Sequence, residues 1–253
     1  MNDVLLQASG ISVRRNGRFT LQPTDFAVGA GETVGIYGPN GAGKSTLLNL
    51  ITGTAKADAG RIMFLDHDLT KLAPHHIAAN GVARTFQHVK LRPNMTLLDN
   101  ALLGTYSRTR SGFLAGAMRL DRNEEKSAQF EAFQQLKRVG LGEKAGELAG
   151  NLPLGQQRLL EVARALAADP VVVILDEPAA GLRSLEKQIL SQLLRSLRNE
   201  GMTIVLVEHD MEFVMNLVDR IVVMDFGSKL AEGVPAAIRA EPRVQEAYLG
   251  GVA

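Results

Sequence analysis

The chain has 253 residues, enough for one large domain or for a core with a satellite, and its 28 lysines and arginines against 27 acidic residues leave it almost neutral, which argues against the broad cationic face of a nucleic-acid binder. It contains no cysteine, so disulfide frameworks and thiolate metal sites are excluded and a reducing cytosol is expected. The opening "MNDVLLQASG" lacks the basic-then-apolar pattern of a secretion signal, and no apolar run approaches the roughly 18 residues of a membrane span.

From the amino end, "VLLQASGISV", "RFTLQPTDFAV" and "TVGIYG" read as strands, the last following a turn at Gly29 and Gly31, so an antiparallel start feeds a buried strand. Further strands are expected at "RIMFL" (61–65), "VVVIL" (171–175), "TIVLV" (203–207) and "RIVVM" (220–224). The last three are near-continuous apolar runs separated by helical segments such as "SLEKQILSQLLRSLRNEG", the pattern of a parallel sheet covered on both faces. Between about residues 88 and 165 the pattern is helical instead. There Thr96 and Asp99 have the spacing of a capping box, and Phe130, Phe133 and Leu136 are expected on one face before Gly140. The basic segment 107–122, with its apolar strip, reads first as a solvated rim helix and second as a surface near lipid or a partner.

"YGPNGAGKST" stands between a strand and the helical "LLNLITG", the context a phosphate-binding loop requires. In Gly38, Pro39, Asn40, Gly41, Ala42, Gly43, Lys44, Ser45 and Thr46 the glycines let the backbone wrap closely and turn its amides inward. Lys44 answers the β and γ phosphates, and Ser45 is suited to Mg2+. "VVVILDEP" delivers two carboxylates to the same sheet edge, Asp176 to bind the metal through water and Glu177 to polarise an attacking water as general base. "TIVLVEHD" brings His209 to that edge, where it can donate a hydrogen bond to a γ phosphate. His67, His75, His76 and His88 show no metal-ligand spacing. Gln87 in "RTFQHV" sits where the core passes into the helical insert, and its amide can reach metal or water while moving with that insert. In "NLPLGQQR" a helix opens with Leu152, Pro153, Leu154, Gly155 and Gln156 before its apolar face begins. Pro153 suits the first helical position, and the bare amides of such an end can cap a phosphate held by another copy or a partner.

The expected fold is therefore α/β, a P-loop NTPase core of residues 1–87 and 166–253 with an antiparallel β subdomain, interrupted by an inserted helical subdomain of residues 88–165. In their order and spacing, "GPNGAGKST", the glutamine of "TFQ", "LPLGQQR", "ILDEP" and the histidine of "VEHD" resemble the ATP-binding cassette family over nearly the whole chain. "GVARTFQHVKLRPNMTLLDNALLG", "LDEPAAGL", "VEHDMEFVM" and the tail "AYLGG" are similar to the ATPase subunits of importers for branched-chain amino acids and related small polar solutes. This resemblance implies hydrolysis of ATP with Mg2+ at the cytoplasmic face of a membrane. The implied partners are a second ABC ATPase subunit, transmembrane permease subunits and, indirectly, a solute-binding protein, with no nucleic acid. It also implies that Leu152 to Gln156 act as a signature on the partner's nucleotide, and that Arg15 stands where relatives place an aromatic ring against adenine, with Phe19 as the alternative.

Three departures from the family pattern have chemical consequences. Pro153 and Leu154 replace the serine and first glycine of Leu-Ser-Gly-Gly-Gln, removing a hydroxyl, an amide and a site of close approach. A different chain with the full signature is accordingly the expected partner. Arg15 takes the ring position, and Arg183 stands where relatives often carry Asp or Asn. Rival readings are the ATPase of a lipid exporter, which shares the "AYLG" tail but keeps the full signature, a cassette protein acting on nucleic acid or ribosomes, and a small-molecule kinase. The second calls for duplicated cassettes, a long coiled-coil insert or basic patches, which the sequence lacks.

Overall fold

The computed structural model describes residues 3–107 and 122–248. The basic segment 107–122 therefore falls almost wholly outside the described residues, as does the end of "AYLGG". The chain opens with strands β1 (Val4–Arg15), β2 (Arg18–Gly29) and β3 (Thr33–Tyr37), followed by helix α1 (Lys44–Ile51). Strands β4 (Ala59–Phe64) and β5 (His67–Asp68), helix α2 (Pro74–Ala79) and strand β6 (Val82–Arg84) lead into α3 (Leu97–Leu102), α4 (Arg122–Arg138) and α5 (Leu154–Ala167). Next come β7 (Val172–Asp176), α6 (Ser184–Asn199), β8 (Thr203–Glu208), α7 (Met211–Met215) and β9 (Arg220–Asp225). The hairpin strand β10 (Ser228–Gly233) and helices α8 (Pro235–Ala240) and α9 (Pro242–Tyr248) complete the order.

The strands form two sheets, an antiparallel one in the order β2-β1-β4-β5 and a larger one in the order β10-β9-β3-β8-β7-β6. In the larger sheet every pairing is parallel except that of β10 with β9. Its apolar runs are continuous because alternate side chains enter two different cores. Val34, Ile36, Val172, Ile174, Val205 and Val207 pack with Leu47, Leu48 and Ile51 of α1 and with Leu6, Ile11 and Phe64 of the antiparallel sheet. Val173, Leu175, Ile204 and Leu206 pack with Leu136, Leu160, Val162 and Leu194 of the helices on the other side. With β3 between β9 and β8, the carboxyl ends of β3, β8, β7 and β6 share one edge, and the loops leaving these strands meet there.

Thr96 caps α3 as its spacing predicts, accepting from the Asp99 amide at 3.0 Å while Asp99 accepts from the Thr96 amide at 3.2 Å. The face of α4 is different from the expected one. Ala128, Ala132 and Leu136 are buried, and Phe130 is 64% exposed. Six residues along a helix turn the side chain by about 240°, so Phe130 and Leu136 cannot share a stripe. Pro153 is the N-cap of α5, with φ −59° and ψ 154°, and the first helical residue is Leu154.

Candidate active site

Gly43, at φ 98°, is the N-cap of α1 and offers no side chain to its amides, which leaves the amino end of that helix free to face an anion. At Gly38 a side chain is excluded, since a Cβ there would lie 2.4 Å from the Met224 carbonyl oxygen. Lys44 is buried, and its Nζ donates to the carbonyl oxygens of Gly38 at 2.7 Å and Pro39 at 3.0 Å. Burial holds its pKa below the ordinary lysine value, opposed by the carboxylates of Glu177, Asp176 and Glu208. Pro39, Asn40, Gly41 and Ser45 are exposed, Thr46 is half-buried, and Ala42 is buried.

Strand β7 ends at Asp176, and Glu177 comes next at φ 49°, a left-handed conformation that a glutamate adopts only when its surroundings hold it there. Its amide donates to the Val207 carbonyl oxygen at 2.9 Å, pinning the turn to β8. Gln87 Nε2 donates to Glu177 Oε2 at 2.9 Å, and His209 Nδ1 lies 4.0 Å from the same oxygen. Three of the residues expected to act together thus gather around Glu177, Gln87 by a hydrogen bond and His209 at 4.0 Å, although they come from the ends of β6, β7 and β8.

Asp176 is fastened by a residue the sequence reading passed over. Its Oδ2 accepts from Arg84 Nη2 at 2.8 Å, with the two side chains 5% and 8% exposed. Arg84 Nη1 also donates to Asn49 Oδ1 at 2.8 Å and Thr52 Oγ1 at 3.0 Å near the end of α1. Glu208 is another omission: buried at the end of β8, it accepts from the Ala179 amide at 2.7 Å, and burial pushes its pKa up. The sequence signal was present, because a carboxylate ends β8 as one ends β7. A third group links Gln87 to α5. Arg158 donates to the carbonyl oxygens of Gln87 at 2.6 Å and Phe86 at 3.1 Å, and buried Glu161 accepts from the Lys90 amide at 2.8 Å.

The signature residues lie elsewhere. Leu152 is buried and Leu154 is 43% exposed. A Cβ on Gly155 would meet Glu186 Oε1 at 2.4 Å, and Gln156 Oε1 accepts from Lys144 Nζ at 3.1 Å. Their neighbours are thus Glu186 of α6 and Lys144, not the loop Gly38–Thr46. At the tip of the β1–β2 hairpin, exposed Arg15 pairs with Arg18, while the Arg14 guanidinium stacks on one face of the half-exposed Phe19 ring at 4.1 Å. No cluster of three or more His, Asp or Glu side chains among the described residues forms a metal cage. Ser45, Gln87 and Asp176 are oxygen donors, and Mg2+ typically keeps several waters and takes the rest of its shell from substrate phosphates and one or two protein oxygens. The residues present therefore fit that ion.

The sequence profile of the ABC transporter family matches residues 21–180. The chain belongs to the ABC transporter family. A second profile, for the branched-chain amino acid ATP-binding cassette transporter, matches residues 228–253. The high-affinity branched-chain amino acid transport ATP-binding protein LivG of Escherichia coli K12 is 40% identical, over 99% of this chain and 99% of its own length. An ATP-binding cassette of an ABC transporter solved in its ADP conformation superposes with a TM-score of 0.86 at 32% identity, covering 98% of this chain and 99% of that one. A dimeric cassette in a post-hydrolysis state with ADP and Pi gives a TM-score of 0.77 at 26% identity, over 91% of this chain and 98% of the other. The fold expected from the sequence is the cassette fold found, and the chain is a nucleotide-binding ATPase of this family.

Proposed function

We propose that this cassette is the ATP-hydrolysing subunit of an importer for branched-chain amino acids or related small polar solutes. The observation that carries the reading is the convergence of Gln87, Glu177 and His209 beside the loop that ends in Lys44, in a chain whose relative LivG is named for that transport. In this reading Gly38 to Thr46 wrap the phosphates, and Lys44 exchanges the Gly38 and Pro39 carbonyls for the β and γ oxygens. Glu177 accepts from Gln87 through Oε2 and takes the proton of the attacking water on its other oxygen, as general base. His209, 55% exposed at its side chain, donates to the γ phosphate. The hydroxyl of Ser45, the amide oxygen of Gln87 and, through water, Asp176 would hold Mg2+, which when bound neutralises charge on the phosphates.

Residues 1–87 and 166–253 act as the nucleotide core and 88–165 as a lever. The bond from Arg158 to the Gln87 carbonyl passes displacement at the site into α5, whose opening residues Leu152 to Gln156 act on the nucleotide of a second cassette subunit, a different chain. A cavity of about 300 Å3 where core and helices meet, lined by Ile77, Phe86 and Leu103 with Arg84 and Glu161, gives a permease segment an apolar seat. No helix among the described residues is long and apolar enough to cross a membrane, so permeases hold the subunit at the cytoplasmic face and a solute-binding protein serves them from the other side. The test is reconstitution with the permeases in vesicles and measurement of ATP-driven uptake of leucine. Uptake that disappears with Glu177→Gln supports the reading, and hydrolysis without uptake of any branched-chain amino acid overturns the solute.

A further inference from the structure

Phosphate chemistry occupies only one side of the loop Gly38–Gly43. Strands β8, β7 and β6 lie on that side of β3 and bring His209, Asp176, Glu177 and Gln87. On the other side of β3 lies β9, whose carboxyl end turns through Asp225, Phe226, Gly227 and Ser228 into β10. This turn is bonded to the loop. The Gly227 amide donates to the Ala42 carbonyl oxygen at 3.0 Å, and the Gly227 carbonyl accepts from the Gln22 amide of β2 at 2.8 Å. The approach is close enough that a Cβ on Gly43 would lie 3.2 Å from Gly227 Cα. A nucleotide whose terminal phosphate points at Glu177 must run its base the opposite way, toward this turn and the β1–β2 hairpin.

Position 15, an arginine, offers no ring to that base. Phe19 already carries the Arg14 guanidinium on one face and is 40% exposed, whereas Phe226 is 86% exposed with no such cation among the described residues, one residue from the bond to Ala42. Phe226 also sits at φ 43°, where asparagine or glycine would be at ease and a bulky side chain is strained. Strain alone decides nothing, because Leu65 shares it at φ 50° in the β4–β5 turn; the placement of Phe226 against the phosphate loop is what separates the two. Resting on the nucleotide reading above, we infer that Phe226 is the base-stacking residue of this cassette, supplied from the β9–β10 turn in place of the ring absent at Arg15.

The experiment compares binding of ATP and of inorganic tripolyphosphate, which has no base, to the full chain and to three variants. Phe226→Asn suits the left-handed turn, so it folds at least as well. It should weaken ATP about five- to 150-fold, the range for losing one base–aromatic stack, and leave tripolyphosphate unchanged. Phe226→Trp should retain ATP affinity, and Leu65→Asn, which relieves the same strain at the control turn, should change neither ligand. Unchanged ATP affinity in Phe226→Asn, or equal loss of both ligands, would overturn the inference. Failure of the unsubstituted chain to bind tripolyphosphate would instead remove the phosphate-loop reading, and the base subsite would fall with it.

Discussion

Among the described helices that begin without a side-chain cap, α1 and α5 have opposite surroundings. At α1 the N-cap is Gly43 and the neighbouring charge is the Lys44 ammonium, buried and bonded to the loop's own carbonyls. At α5 the N-cap is Pro153, again without a side-chain bond, and the neighbouring charge is the Glu186 carboxylate packed on Gly155. Both ends carry the positive pole of a helix dipole. A cation beside that pole strengthens attraction for a phosphate, while a carboxylate beside it already satisfies part of the field. On the proposed reading the first end receives an anion from solution within one chain. The second already has the Glu186 carboxylate beside it, which suits the proposed contact made only between subunits.

The largest expected effect tests whether the α1 side is catalytically complete. Glu177→Gln should retain MgATP binding and lower turnover by about two to four orders of magnitude, the range for losing a general base. Near-normal hydrolysis in the permease-bound complex removes Glu177 from that role. Next is the fastening of the same side. Arg84→Met leaves Asp176 buried without its partner, which should destabilise the chain by about 3 to 5 kcal/mol, and a paired Arg84→Met with Asp176→Asn should recover most of it. Urea titration measures both, and a double variant no more stable than the single one would show that Arg84 matters for its bonds to Asn49 and Thr52 instead.

Which parts of this side were legible depended on how far apart the partners lie in sequence. Gly38 to Thr46, Asp176, Glu177 and His209 stand out in the sequence because each ends an apolar run or lies in a glycine pattern, local signals that survive without the fold, whereas Gln87 is marked only by its place between core and insert and by the family's "TFQ". The order β3-β8-β7-β6 is what turns them into one site. Arg84 was overlooked because nothing local distinguishes it; its meaning lies in β6 pairing with β7, 92 residues of separation from Asp176. Burial hid the others. Glu208 and Glu161 are each 1% exposed, and a sequence gives a glutamate no mark of being inside. The error at Phe130 was of a different kind, an aromatic residue taken for core on type when the turn of the helix placed Ala128 and Ala132 there.

Substitution of Lys44 should have a smaller effect than loss of the base. Lys44→Ala removes charge-assisted bonds to the phosphates and should weaken ATP and GTP alike, by about ten- to a hundredfold. Arg15→Ala should do less. Isothermal titration with both nucleotides separates the two, and a strong adenine preference that vanishes with Arg15→Ala would assign the base to Arg15 rather than to the β9–β10 turn.

The smallest effect belongs to α5, and it decides whether the contrast between the two helix ends is functional. Pro153→Ser restores a backbone N–H and adds a hydroxyl proton, two donors for a phosphate at the N-cap, and Leu154→Gly opens close approach to the backbone. Each change strengthens contact with a phosphate from outside the chain and touches nothing near Lys44, Gln87, Asp176, Glu177 or His209. In the pair proposed above each subunit's opening residues of α5 act on the other's nucleotide, so the gain should fall on the partner's nucleotide. With this chain's site silenced by Glu177→Gln, the restored signature should raise the remaining ATPase rate about two- to fivefold, the worth of one added hydrogen bond. With the partner's base removed instead, the rate at the site built on Lys44 should stay as it was. Equal changes at both sites, or full activity from a pair made of this chain alone with the permeases, would mean that Pro153 and Leu154 are no handicap and that the subunits are interchangeable.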